Sequence, residues 1–168
     1  IKVSPQQIQE SITANRGRLI VTGILQRSDS LNQNRRIYPK AILQKQASVY
    51  KDTFVAENRA MGELDHPESS TVNLKYVSHN LLDLWWEGDN LMGKLEIIDE
   101  TPCGQIAKAL LKAGIRLGIS SRGLGSVKEL GEGKVEVQDD LEFVAWDLVS
   151  NPSTQGGFVA PSLNEGKG

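Results

Sequence analysis

Two short motifs carry residue types that together could perform acyl transfer. Gly62-Glu63-Leu64-Asp65-His66-Pro67 places one of only two histidines in a turn. Gly118-Ile119-Ser120-Ser121-Arg122-Gly123 places two hydroxyls and a guanidinium at the end of an apolar run. Nucleophilic acyl transfer needs a hydroxyl, a base to take its proton and donors to hold the oxyanion. A guanidinium beside a nucleophile can stabilise that oxyanion directly or through water, which makes Arg122 the candidate for that role. Gly118 and Gly123 would leave room for a substrate backbone to approach. Taken one at a time, each residue has a plainer explanation: a loop histidine, two strand-end serines, a surface cation. His79 precedes an apolar strand and reads as structural or surface.

A third group should orient the imidazole. Asp147, within Val144-Ala145-Trp146-Asp147-Leu148-Val149, is an acid inside a strand that otherwise reads as buried. Buried carboxylates are rare unless paired or hydrogen-bonded, so Asp147 is the best orienter on residue grounds. Glu63 and Asp65 read as solvated loop acids. Gly123-Leu124-Gly125 lacks the third glycine and the following helix of a phosphate cradle.

The bulk properties narrow the class. At 168 residues the chain fits one domain with a real core. It is 39% hydrophobic and 24% charged, as soluble globular proteins are, and its net charge of -2 argues against a nucleic-acid binder. No apolar run approaches the roughly 20 residues needed to span a bilayer, and the N-terminus has no signal-peptide core. The absent initiator methionine points to a fragment or a processed product. The single Cys103 cannot form an internal disulfide, no cysteine cluster points to a metal, no cofactor motif is present, and a reducing cytoplasm is the natural setting.

The elements that must position these residues can be read coarsely. Residues 18–25 are β-branched and apolar and predict a strand. Residues 26–39 predict a long loop closed by Pro39, and 39–50 a helix with Ile42, Leu43, Ala47 and Tyr50 near helical spacing. Residues 60–79 read as a second long loop holding both histidines. Residues 80–87 and 90–98 predict a hairpin about Gly88-Asp89-Asn90. Thr101 and Pro102 open a helix over 102–114, with Ile106, Ala109, Leu110 and Ala113 as its apolar face. Strands follow over 115–121, 124–130, 134–138 and 141–149. The fold class is α+β: a mostly antiparallel sheet or barrel with about two helices. The domain spans 18–153, with a loose segment at 1–17 and a flexible tail at 154–168.

Five blocks of the chain, in order over about residues 20–155, resemble the prohead core proteases of T-even-like tailed phages. They are Asn34-Arg35-Arg36-Ile37-Tyr38-Pro39, Gly62 to Pro67, Trp85-Trp86-Glu87-Gly88-Asp89, Gly118 to Ser126, and Val144 to Ser153. The resemblance implies a serine endopeptidase with the fold of the herpesvirus assemblins, a small, mostly antiparallel β-barrel surrounded by helices. It implies a place inside the phage procapsid in the host cytoplasm, where scaffold and major capsid proteins are cleaved after a glutamate preceded two residues earlier by Leu or Ile. Homo-oligomers are compatible with it; nucleic acid, membrane and metal have no part.

By match to the family motifs, His66 is the base, Ser120 the nucleophile and Asp147 the third member. Ser121, followed two residues on by Gly123, is the alternative nucleophile. Self-processing is implied too, with matching sites after Glu10 (Ile8-Gln9-Glu10) and Glu165 (Leu163-Asn164-Glu165) in the segments read as loose. Glu100 and Glu132 fit the same pattern within the domain and should be protected by folded strands and a tight turn. The competing function is an inactive scaffold or capsid-assembly protein of the same fold.

Overall fold

The computed structural model describes residues 4–154 and 157–161. The fold is α+β, with three α-helices and mostly antiparallel strands among the described residues. Helix α1 (Pro5–Ala14) occupies most of the segment expected to be loose. Ser4 accepts the Gln7 backbone N–H while the Gln7 side chain accepts the Ser4 N–H, a reciprocal cap preceding Pro5 at the first helical position. Ile8, Ser11 and Ile12 face inward, and the Ser11 hydroxyl donates to the Ile20 carbonyl. That docking on the first strand keeps the helix in place, since a helix this short is marginal without tertiary packing.

Strand β1 (Leu19–Arg27) is the second strand of a five-stranded antiparallel sheet centred on β5 (Asn90–Ile97). The other strands are β3 (Met61–Glu63), β4 (Val77–Glu87) and β10 (Ala160–Pro161), in the order β10-β1-β5-β4-β3, so β1 pairs with β10 and β5. The β4–β5 hairpin turns at Gly88 and Asp89 as the sequence predicts. The expected loop over 60–79 instead contains β3 and the start of β4, so His79 is a strand residue. The tail is partly ordered as well: Thr154 is buried, and β10 pairs with β1.

A two-stranded sheet joins β6 (Gly118–Leu124) to β9 (Glu142–Val149). A three-stranded sheet contains β2 (Arg36–Ile37), β8 (Lys134–Val137) and β7 (Val127–Gly131), with β2 and β8 parallel. Among the described residues no continuous ladder closes a barrel. Two isolated bridges span the gaps: Leu64 to Leu148 ties the β3 edge to β9, and Gly118 to Phe158 ties β6 to the chain entering β10. The sheets thus meet at two seams, one between β3 and β9 and one between β6 and the chain entering β10, each spanned by a single bridge.

Helix α2 (Lys40–Tyr50) buries Leu43, Ala47 and Tyr50, one face at helical spacing, and continues into a π-turn over Lys51–Val55. Helix α3 (Pro102–Lys112) is capped by Thr101, whose hydroxyl accepts the Gly104 N–H. Its buried face is Gly104, Ala107 and Leu111, while the expected face is outside: Ile106 is 51% and Leu110 36% exposed. Small residues on the inner face let the helix approach closely, and a Cβ on Gly104 would overlap the Ile98 carbonyl. Among the described residues no helix is long and apolar enough to cross a membrane.

Candidate active site

The site lies at the β3–β9 seam. In the β6–β9 ladder Ser120 pairs directly with Asp147 and Arg122 with Ala145. Alternation along the strands puts Ser120, Arg122 and Asp147 on one face and Ser121 and Trp146 on the other. The Ser121 hydroxyl lies 3.5 Å from the Tyr38 hydroxyl, and Trp146 packs edge-on against Tyr50 at 4.9 Å. The two serines, adjacent in sequence, therefore occupy different environments.

Asp147 has no exposed surface, and both its oxygens are fully engaged. Oδ1 accepts the Glu63 backbone N–H at 3.1 Å and an Arg122 Nη2 proton at 3.1 Å. Oδ2 accepts from Arg122 Nε at 3.0 Å and lies 3.2 Å from His66 Nδ1. A carboxylate can only accept, so this contact puts a proton on Nδ1 and leaves Nε2 of a neutral ring free to act as a base. The ring stands in the turn after β3, its side chain 45% exposed. Asp65, just before it, is exposed and has a left-handed backbone with φ 65°.

Ser120 and His66 line one cavity of about 400 Å³, together with Gln33, Asn34 and the Val149–Ser153 segment. Ser120 is buried, and its Oγ lies 3.1 Å from Ser153 Oγ. The Ser153 carbonyl accepts the Gln33 N–H at 2.9 Å, which fixes this wall of the cavity. Gly118 makes the wall's position tenable, because a Cβ there would stand 2.5 Å from the Pro152 ring. The space at Gly118 is filled by the protein itself rather than kept open for a substrate.

Arg122 differs from its expected role as an oxyanion donor. It is 7% exposed, and all five of its N–H groups are spent inside the protein. Besides the two bonds to Asp147, Nη2 donates to Glu63 Oε2 at 2.9 Å, and Nη1 donates to the carbonyls of Ser69 and Thr71 at 3.0 and 3.1 Å. None remains for a substrate oxygen. Glu63, expected as a solvated loop acid, is 2% exposed and paired with Arg122. No short-range pattern marks Glu63 or Ser153 as site residues, since their partners are remote in sequence.

His79 is a core residue. Its Nε2 donates to the Trp146 carbonyl and its Nδ1 accepts from the Ser78 hydroxyl, both at 2.7 Å. Burial pushes its pKa below the usual 6.5, which keeps the ring neutral. The imidazole lies against the Cα of Gly62, where an added Cβ would come within 2.2 Å of Nε2. The Gly62 position in the histidine motif thus answers to packing beneath the site. Burial, and next the Asp147 charge, raise the Tyr50 phenol far above its usual range, so it stays protonated.

Glu10 is exposed on α1, and Glu165 lies outside the described residues. Among the described residues no group of three or more His, Cys, Asp or Glu side chains could hold a metal ion.

Comparison with known proteins finds a family for the chain as a whole. The family model described as prohead core protein serine protease matches residues 5–167. The chain is 35% identical over 146 residues to the prohead core protein protease of Enterobacteria phage T4, an alignment covering 85% of this chain and 68% of that protein. The fold is similar to the solved structure of the bacteriophage T4 capsid assembly protease, gp21, with a TM-score of 0.74 and 32% identity. That match covers 77% of this chain and 80% of the other.

Proposed function

Since the chain belongs to the prohead core protein serine protease family, the proteases of phage prohead maturation, we propose that it cuts core and capsid proteins with Ser120 as nucleophile, His66 as base and Asp147 as the acid that orients the base. The observation that carries this reading is the His66–Asp147 contact at the rim of the cavity that holds Ser120. Substrates are the proteins packed with the enzyme in the assembling prohead. Cleavage follows a glutamate preceded two residues earlier by Leu or Ile, and the enzyme processes itself at the same pattern; both rest on the motif resemblance.

The chemistry follows from the free Nε2. As Ser120 Oγ attacks the peptide carbonyl, Nε2 takes the hydroxyl proton, and Asp147 stabilises the imidazolium at Nδ1. Nε2 returns that proton to the amine as the C–N bond breaks, leaving Ser120 acylated. Water then gives a proton to Nε2 and attacks the ester. Its collapse releases the new carboxyl terminus and restores the serine hydroxyl. The oxyanion needs donors other than Arg122, whose N–H groups are occupied.

Ser120 supports the nucleophile role better than Ser121, because it shares the cavity with His66 while Ser121 faces Tyr38. A serine-directed acylating inhibitor tests the reading. Mass analysis of the digested adduct is expected to place the acyl group on Ser120, with no labelling after His66→Ala. An adduct on Ser121, or none with active enzyme, would overturn it.

A further inference from the structure

Building on the His66–Asp147 reading, we infer that Arg122 and Glu63 form a buried positioning pair that sets the acid and the histidine loop as one unit. A half-exposed imidazole is not clamped by core packing. Its placement depends on the turn that carries it and on the carboxylate behind it, and Arg122 holds both.

The five donors divide between these tasks. Nε and Nη2 grip the two oxygens of Asp147 as a fork, fixing the carboxylate plane so that Oδ2 meets His66. Nη1 holds the Ser69 and Thr71 carbonyls, on the loop just past His66. The remaining Nη2 proton goes to Glu63, at the end of β3 just before His66. Glu63 then closes the loop at its base: its Oε2 also accepts the Asn73 N–H at 3.1 Å, while its own N–H goes to Asp147. The segment from Glu63 to Asn73 is pinned at both ends and braced in the middle by one cation.

A buried guanidinium and two buried carboxylates are costly to desolvate and are weak evidence for a stability role alone. Their arrangement fits orientation instead. Lysine cannot reproduce it, because an ammonium is a point charge with three donors and no planar fork. Arg122 touches no substrate atom in this scheme, so it acts through Asp147 and His66 as a positioning residue.

The test compares wild type with Arg122→Lys, Glu63→Gln and Glu63→Ala, on a peptide that the wild type cleaves. It records kcat, KM, thermal midpoint and the His66 Nδ1–H proton resonance in NMR. Arg122→Lys is expected to lower kcat about 10- to 100-fold, as a displacement of up to about 1 Å does, with KM within about twofold. The Nδ1–H resonance should shift or broaden. Glu63→Gln, which keeps an acceptor for Arg122 and Asn73, is expected to retain most activity, and Glu63→Ala to lose kcat while still folded. Wild-type kcat in folded Arg122→Lys or Glu63→Ala would overturn the inference and leave a purely structural pair. A loss confined to KM would also overturn it by placing Arg122 in substrate binding. Should Arg122→Lys not fold, the Glu63 pair decides alone. Should His66→Ala cleave normally, the triad reading itself fails, whatever the Arg122 variant does.

Discussion

His66 Nδ1 lies 3.2 Å from Oδ2 of Asp147, a half-exposed imidazole backed by a carboxylate that has no exposed surface. The two come from opposite sides of the seam between β3 and β9, which a single bridge at Leu64 and Leu148 spans. The imidazole faces solvent, while the carboxylate sits where water does not compete for its oxygens.

Replacing each serine separately should distinguish them. Ser120→Ala is expected to lower kcat at least about 1,000-fold with the fold retained, since loss of a nucleophile removes the covalent route. Ser121→Ala is expected to stay within a few-fold of wild type, because its hydroxyl faces Tyr38 at 3.5 Å, away from the cavity that holds Ser120 and His66. Steady-state cleavage of one peptide by both variants checks this; the reverse pattern would move the nucleophile one residue on.

Asp147→Asn should affect both activity and stability. The amide cannot serve His66 Nδ1–H and both Arg122 contacts as a carboxylate does, and kcat is expected to fall about 10,000-fold, as in other triads. Removing one charge from a buried pair also costs about 3–5 kcal/mol. Kinetics together with urea unfolding would measure the two effects; an unchanged unfolding midpoint would contradict the buried contacts.

The Ser153 hydroxyl lies 3.1 Å from that of Ser120. Ser153→Ala removes a hydrogen bond worth about 0.5–1.5 kcal/mol, so a kcat change of roughly 2- to 10-fold with KM nearly constant is expected. Wild-type kinetics would leave Ser153 as part of the cavity wall alone.

His79 should make the fold sensitive to mild acid. Burial lowers its pKa below the unfolded value of 6.5, so in that window the unfolded chain binds a proton that the folded state resists. The stabilisation is fully present above pH 6.5 and is lost as pH falls through the folded-state value beneath it. Unfolding midpoints across this range should decline for wild type and decline less for His79→Gln. At neutral pH that substitution should cost about 1–3 kcal/mol by disturbing the bonds to Trp146 and Ser78.

Self-processing should distinguish the two terminal glutamates. Glu10 lies within α1, flanked by the buried Ile8 and Ser11, and a protease needs extended backbone. Intact-mass analysis of concentrated active enzyme is expected to show a product ending at Glu165 and none beginning at Ser11, with both absent in Ser120→Ala. Glu100 and Glu132 sit in exposed turns rather than extended segments, and should be spared. Early loss of residues 1–10 would show that α1 unwinds readily.

The sequence by itself determined the α+β class, the β4–β5 hairpin, the capped start of α3 and the family, because these depend on local pattern or on motifs in order. It also marked His66, Ser120 and Asp147 as the residues to watch, the last through the oddity of an acid in an apolar strand. Helix α1 fell in the segment read as loose, because its hold comes from Ser11 and Ile20, which only folding brings together. The inner face of α3 could not be read from apolar spacing, because close approach to Ile98 favoured Gly104 and Ala107 over larger side chains. The tertiary structure alone decided what the charged groups do. Whether Glu63 is solvated and whether Arg122 is free depend on partners dozens of positions away, and burial turns those partnerships from negligible surface attractions into strong, directional ones.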